Sequence, residues 1–200
     1  MSIKLKIISY FLSVKFLLMC STSVVISDET FEVWLSSYKK FVLENGVSQE
    51  TIDVTFKNVK YLEQVIKYDR KQPEFYEDTI TYVDKRANIL RVKIARKLLK
   101  KNQVLFEEIE NKFSVEKEIL LALWGIETNF GKHVGKMDII SSLATLSYDK
   151  RRRDFFSSQL LILLKLIDGK LLDQNTLYGS WAGAYGNFQF MPATIEEYAI

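Results

Sequence analysis

The sequence predicts an all-α protein, and two observations carry that reading. Its 200 residues are 48% hydrophobic and 13% aromatic yet include only eight glycines and two prolines. Long stretches therefore run without breakers, and apolar residues recur along them every three or four positions rather than in alternation. The length suffices for one domain, or one and a small appendage. Charge mainly excludes. The formal charge is +3, but Lys4, Lys6 and Lys15 precede the first acid, Asp28, and beyond it bases and acids balance. A neutral body carries no footprint for nucleic acid. A single cysteine, Cys20, and a single histidine, His133, exclude an intrachain disulfide and a Cys/His metal cluster.

Taken in order, residues 1–27 combine a short basic start with an apolar run and small residues near Val25 and Ser27. That pattern predicts an exported protein, through either a cleaved signal peptide, a lipid on Cys20 or an uncleaved membrane anchor. Phe31, Trp34, Leu35, Tyr38, Phe41 and Val42 then form a helical stripe that Asn45-Gly46 stops. Ser48 reads as the cap of a second helix through Ile52, Val54 and Phe56. Residues 59–70 are ambiguous and partly extended, and Pro73 marks a turn. One long helix is expected over residues 77–101, its apolar face including Val83, Ala87, Leu90, Ile94, Leu98 and, if it continues, Leu105. Between Lys85 and Lys101 basic residues meet no acid, a pattern that reads either as a solvated face or as a surface for anionic lipid or an acidic polymer.

Residues 114–131 read as one helix, with Ser114 as N-cap, Glu116 and Glu118 in the first turn and Gly131 as stop. Glu127 lies three or four residues from Leu123, Trp124, Phe130 and Gly131, where no helical neighbour can pair with it. A carboxylate desolvated among such side chains is pushed toward its protonated form, which makes Glu127 a candidate general acid. The competing reading is a partly exposed glutamate satisfied from elsewhere in the chain. His133 follows in a glycine-bounded loop, read as solvated rather than as a proton shuttle. A short buried helix is expected around Ile139, Ile140, Leu143, Ala144 and Leu146, and another over residues 155–166. Between them stand Arg151, Arg152 and Arg153, which can clamp ligand carboxylates or serve as surface charge.

Residues 178–192 hold three of the eight glycines within eight positions, so the backbone there turns tightly or approaches something closely. The spacing G-x-x-x-G-x-x-G is not a dinucleotide loop, and Ser180 does not sit in a nucleophile elbow. What the loop offers is a hydroxyl, amides, a tryptophan and tyrosines, a mixture suited to sugar faces and their hydroxyls. Pro192 then opens a terminal helix.

Trp124-Gly-Ile-Glu127-Thr-Asn-Phe-Gly131, Leu143-Ala-Thr-Leu146, Arg152-Arg153-x-Phe155-Phe156, Gly179-Ser-Trp-Ala-Gly-Ala184, Gln189-Phe-Met-Pro192 and Asp69-Arg-Lys-Gln-Pro-Glu-Phe75 together resemble the membrane-bound lytic murein transglycosylase B family over residues 30–200. The resemblance implies a lysozyme-like helical core, in residues 113–200, behind an N-terminal helical region in residues 28–112. It implies cleavage of the β-1,4 bond between N-acetylmuramic acid and N-acetylglucosamine in peptidoglycan, leaving a 1,6-anhydromuramyl end. Glu127 matches the catalytic glutamate, Ser180 and Gln189 match positions that hydrogen-bond the glycan, and Arg152 and Arg153 match arginines associated with the peptide stem. The partners implied are glycan strands and peptide stems in the periplasm or cell envelope, with no nucleic acid.

The family continues beyond Gln189-Phe-Met-Pro192 with an acidic calcium loop and further helices that have no counterpart here, so a core incomplete at the C-terminus is expected. No metal or cofactor is expected in this chain, part of the apolar surface of the Glu127 helix should be uncovered, and a second polypeptide is one way to complete the domain. The alternative function is a catalytically inactive peptidoglycan-binding or scaffold protein.

Overall fold

The computed structural model describes residues 29–71 and 77–199; the leader or anchor expected over residues 1–27 and the turn at Pro73 lie outside them. Residues 29 and 30 fall outside the compact unit that holds the described residues from Phe31 onward.

Helix α1 (Phe31–Glu44) buries Phe31, Trp34, Tyr38 and Val42 and stops at Asn45-Gly46, where Gly46 takes φ +91°. Helix α2 (Gln49–Thr55) is capped by Ser48, whose Oγ accepts from the Thr51 N–H. The segment before α3 (Glu63–Arg70) is extended because its N–H groups go elsewhere: Lys60 donates to Ser141 Oγ and Leu62 to Thr145 Oγ1.

The long helix expected over residues 77–101 is instead two, α4 (Thr79–Arg86) and α5 (Ile89–Lys101), followed by α6 (Gln103–Phe113). The apolar period runs through, but Asn88 Oδ1 accepts from the N–H groups of Leu90 and Arg91 and starts a new helix. The expected apolar face is not a buried one either. Val83, Leu90 and Leu105 are 49%, 65% and 54% exposed.

Helix α7 (Lys117–Thr128) begins later than expected, because Ser114 is not its cap. Ser114 is the left-handed C-cap of α6 at φ +55°, and Lys117 is held at the start of α7 by Glu110 through both its N–H and its ammonium. A two-residue strand β1 (Met137–Asp138) leads into α8 (Ile139–Tyr148), capped by Asp138. Helix α9 (Arg153–Asp168), a short 3₁₀ turn, strand β2 (Tyr178–Gly179) and α10 (Pro192–Tyr198) complete the described chain. The strands pair antiparallel, Met137 opposite Gly179 and Asp138 opposite Tyr178. Two residues are too few to show an alternating pattern in sequence.

Helix α8 is the centre. Every residue from Ile139 to Ser147 is buried, and α9, α3 and α1 pack on it. Leu143, Ala144, Leu160 and Leu164 are fully enclosed, and each buried leucine contributes about 1.5–3 kcal/mol of transfer free energy. Phe31, Trp34 and Tyr148 form an aromatic cluster at one edge, and Tyr38 donates from its hydroxyl to the Ser157 carbonyl across to α9. A helical body around a helix buried from Ile139 to Ser147 agrees with the all-α expectation. Among the described residues no helix is long and apolar enough to cross a membrane.

Candidate active site

The site is built where α7 ends. Asn129, Phe130 and Gly131 take φ values of +51°, +59° and +80°, so three successive left-handed residues reverse the chain directly after Thr128. Non-glycine residues adopt this conformation at a cost of about 1–2 kcal/mol each, so surrounding contacts must hold it. Phe130 N–H closes on the Trp124 carbonyl, and the Phe130 ring folds back edge-on to Trp124 at 5.9 Å. Gly125 leaves room for that ring, since a Cβ there would come within 2.8 Å of it. The sequence Trp124-Gly-Ile-Glu-Thr-Asn-Phe-Gly131 is thus a helix stop whose parts fit one another.

Thr128, 1% exposed, ties this stop to the glycine loop. Its Oγ1 donates to the Asn187 carbonyl at 2.9 Å and accepts from Gly131 N–H at 3.0 Å. Asn187 Oδ1 in turn accepts from Trp124 Nε1 at 3.0 Å. Trp124, Thr128 and Asn187 therefore fix the glutamate-bearing helix against the loop. The sequence reading did not assign this role to any of them; the glycine cluster around Asn187, pointing to a close approach, was the available signal.

Further along, Gln189 at φ +50° donates from Nε2 to the carbonyls of Val134 and Gly186. Both amide hydrogens are engaged, which leaves Oε1 to accept. Ser180 Oγ accepts from the N–H groups of Ala182 and Ala184, which leaves its hydroxyl hydrogen to donate. Gly135 packs so closely on Gly179 that a Cβ would lie 2.0 Å from the Gly179 carbonyl oxygen. The loop after α7 and the loop carrying Ser180 and Gln189 are thus one assembly, joined to α7 through Trp124 and Thr128.

Glu127 itself is exposed on α7, as are Leu123 and Ile126 at 46% and 49%. The enclosure expected from the helical spacing is absent among the described residues: helical neighbours surround the acid on one element, but burial requires a second element laid over them. The expected uncovered apolar surface is present, with Ile119 51% exposed as well. His133 is exposed in its loop.

Arg152 and Arg153 engage other partners. Arg152 pairs with the buried Asp69 at 2.6 Å and lies over the Phe156 ring. Arg153 donates to the Tyr148 carbonyl at 2.8 Å, and its Nε is buried with no partner among the described residues. A mainly apolar pocket of about 290 Å³ borders the glycine loop, with Asn187 in its lining beside Leu166, Leu172, Tyr185, Phe188 and Phe190.

Solved structures share this arrangement of helices. SltB3 of Pseudomonas aeruginosa, solved in complex with NAG-NAM-pentapeptide, superposes with a TM-score of 0.81 at 34% identity, over 86% of this chain and 46% of that one. The Escherichia coli lytic transglycosylase Slt35, solved with bulgecin A, superposes with a TM-score of 0.71 at 27% identity, over 83% of this chain and 54% of that one. The fold is therefore the lysozyme-like helical fold of lytic transglycosylases. Residues 30–200 match the Transglycosylase SLT domain, and the chain belongs to that family. It is also 39% identical over 89 residues to the membrane-bound lytic murein transglycosylase B of Escherichia coli (strain K12), covering 44% of this chain and 25% of that protein. The chain spans a quarter of that curated relative and about half of the two solved ones.

Proposed function

We propose that this chain is a peptidoglycan lytic transglycosylase that cleaves the MurNAc-β-1,4-GlcNAc bond and leaves a 1,6-anhydroMurNAc end, with Glu127 as acid and base. The observation that carries the reading is the junction of α7 with the glycine loop, in a chain whose relative SltB3 was solved with both NAG-NAM-pentapeptide and NAG-anhNAM-pentapeptide. In this reading residues 113–200 carry the site and residues 28–112 flank it, in an exported protein of the cell envelope.

One acid suffices for such chemistry. Glu127 donates its proton to the glycosidic oxygen as the bond to C1 breaks, and the GlcNAc-bearing half leaves as an alcohol. Positive charge at C1 is met by the substrate's own N-acetyl carbonyl, as in substrate-assisted hydrolases. The C6 hydroxyl then attacks C1 and Glu127, now a carboxylate, takes its proton, so the acid is restored and no water is consumed. Because that hydroxyl is tethered to the reacting sugar, proximity replaces a second carboxylate. Ser180 donates to a sugar oxygen and Gln189 Oε1 accepts from a hydroxyl or N-acetyl N–H, consistent with the hydrogen-bonding capacity each has left. Arg152 and Arg153, already engaged by Asp69 and the Tyr148 carbonyl, attract the carboxylates of the peptide stem with the N–H groups those contacts leave over.

The exposure of Glu127 supports a second reading, a peptidoglycan-binding protein without turnover, since among the described residues no second element covers the acid and excludes water from it. In that case a second polypeptide laid over α7 is one way to complete the site. Mass spectrometry of digested peptidoglycan separates the readings. Anhydro ends that appear with the chain and vanish with Glu127→Gln support turnover at Glu127, whereas muropeptide binding without new ends supports the second reading. Reducing-end muramic acid would sink the transglycosylase assignment in favour of hydrolysis.

A further inference from the structure

Helix α5 has no buried residue, and its two faces differ sharply. Arg91, Val92, Ile94, Ala95, Leu98 and Leu99 are half-buried, toward the α6 and α7 helices that α5 contacts. The other face carries Ile89, Leu90, Lys93, Arg96, Lys97, Lys100 and Lys101, all exposed. Their spacing of three and four residues makes one stripe, and the five cations occupy about 12 Å of helix. Among the described residues none of these five cations has an ion-pair partner within 4 Å. No acid occurs in sequence between Asp84 and Glu107, and the ion pairs of the neighbouring helices are closed without α5, Glu77 with Lys85 and Arg86 and Glu110 with Lys117. The apolar pair is equally uncovered, Ile89 at 64% and Leu90 at 65%.

We propose that this stripe docks the protein on an anionic phospholipid surface, α5 lying parallel to the membrane. Charge complementarity selects an anionic partner, since each lysine or arginine near an anionic bilayer contributes about 1 kcal/mol. Ile89 and Leu90 select lipid over an anionic glycan or polyphosphate. A bilayer places an apolar phase just beneath its anionic headgroups, so an aliphatic pair at the end of a cationic row can be buried there. A hydrated anionic polymer offers no such phase. The contact is interfacial, and it is independent of Glu127 and of turnover.

The test is co-sedimentation of the full chain with phosphatidylcholine vesicles, with and without phosphatidylglycerol. Residues 1–27 contribute the same background to every variant, so the comparison is between variants. Replacing Lys93, Arg96, Lys97, Lys100 and Lys101 by Gln should lower affinity for anionic vesicles by about 100-fold or more, taking roughly fivefold per cation as the upper scale. Added salt should weaken the original chain and leave that variant nearly unchanged. Ile89→Ser with Leu90→Ser should lower affinity for anionic vesicles by about tenfold, in low and high salt alike. All these positions are exposed, so helicity by circular dichroism should be unchanged. Equal anionic binding by the five-glutamine variant would overturn the proposal. Loss with the five glutamines but none with the serine pair would overturn the lipid assignment and point to an anionic polymer.

Discussion

Asp69 near the end of α3 and Arg152 at the N-cap of α9 form a 2.6 Å ion pair between residues that are 83 apart in sequence. Asp69 is only 2% exposed, and Arg70 at 2.5 Å and Arg151 at 3.3 Å complete a ring of guanidinium groups around it. Arg70 also reaches Asp149 at 2.8 Å, so the cluster binds α3 to both sides of the turn between α8 and α9. A buried carboxylate is tolerated only when paired, and removing it leaves three like charges facing one another. Asp69→Ala should therefore destabilise the protein by about 2–3 kcal/mol, below the upper range for buried pairs because the arginines reach solvent. Arg152→Ala should cost less, about 1 kcal/mol, since two guanidinium groups remain on Asp69. Urea denaturation followed by circular dichroism measures both, and equal stability of Asp69→Ala and the unchanged chain would contradict this account.

Thr128 and Asn187 give a prediction about the site rather than the core. Thr128→Val keeps the shape but deprives Gly131 N–H and the Asn187 carbonyl of their partner, a loss of about 1–3 kcal/mol for buried groups. Asn187→Ala removes only the acceptor for the Trp124 indole and should cost about 1 kcal/mol or less. If the junction orients Glu127, both variants should lower glycan cleavage by more than their stability loss explains, while Glu127→Gln should leave stability unchanged and abolish turnover. Thermal melts beside single-time-point product analysis make the comparison. Full cleavage by Thr128→Val would remove the junction from the site.

These contacts also mark where sequence reasoning reaches. The Ser48 cap, the Asn45-Gly46 stop and Pro192 at the head of α10 were legible because each works within a few residues. The buried α8 was legible from Ile139, Ile140, Leu143, Ala144 and Leu146, whereas the burial of Ser141, Ser142, Thr145 and Ser147 between them was not. The break at Asn88 was not, since the apolar period continues across it and only the side chain's preference for capping ends the helix. Ser114 has the chemistry of an N-cap but serves the end of α6, because Glu110 takes over the start of α7 from seven residues upstream. Glu127 could be found as an unusual acid, yet its exposure depends on what covers α7, which helical spacing does not encode. The Asp69–Arg152 pair and the Thr128–Asn187 bond join residues 83 and 59 positions apart, and the arginine run and glycine cluster that mark their ends do not name a partner.

Gly135 predicts a steric failure. At φ +88° it lies against the Gly179 carbonyl, where a Cβ would come within 2.0 Å of the oxygen and 2.7 Å of the Ser180 nitrogen. Both obstacles are backbone, so neither can rotate away. Gly135→Ala should separate the β1–β2 pair or displace Ser180. A loss of several kcal/mol, or a folded protein with the loop shifted and cleavage lost, is the expected outcome. Proteolysis within residues 132–136 should accelerate. Unchanged proteolysis and activity would show that the approach is looser than described.

Asp168 at the end of α9 predicts a pH dependence. Its Oδ1 accepts from the Ser48 and Thr51 hydroxyls and from Ser48 N–H, which hold its carboxyl below the ordinary value of 3.8. A carboxyl lowered on folding adds stability that is fully present above its unfolded value and is lost as pH falls through the folded one. The contribution of Asp168 should thus be constant at neutral pH and disappear as the solution is acidified below 3.8. Asp168 is half-buried at the surface, where solvent still screens its charge, so the effect is a shift of a few degrees in Tm at most. Asp168→Asn keeps an acceptor oxygen but no charge, and it should lower Tm slightly at neutral pH while matching the unchanged chain in strong acid. A Tm difference that stayed the same across that acid range would mean that the cap at Ser48, and not the charge on Asp168, holds α2 to α9.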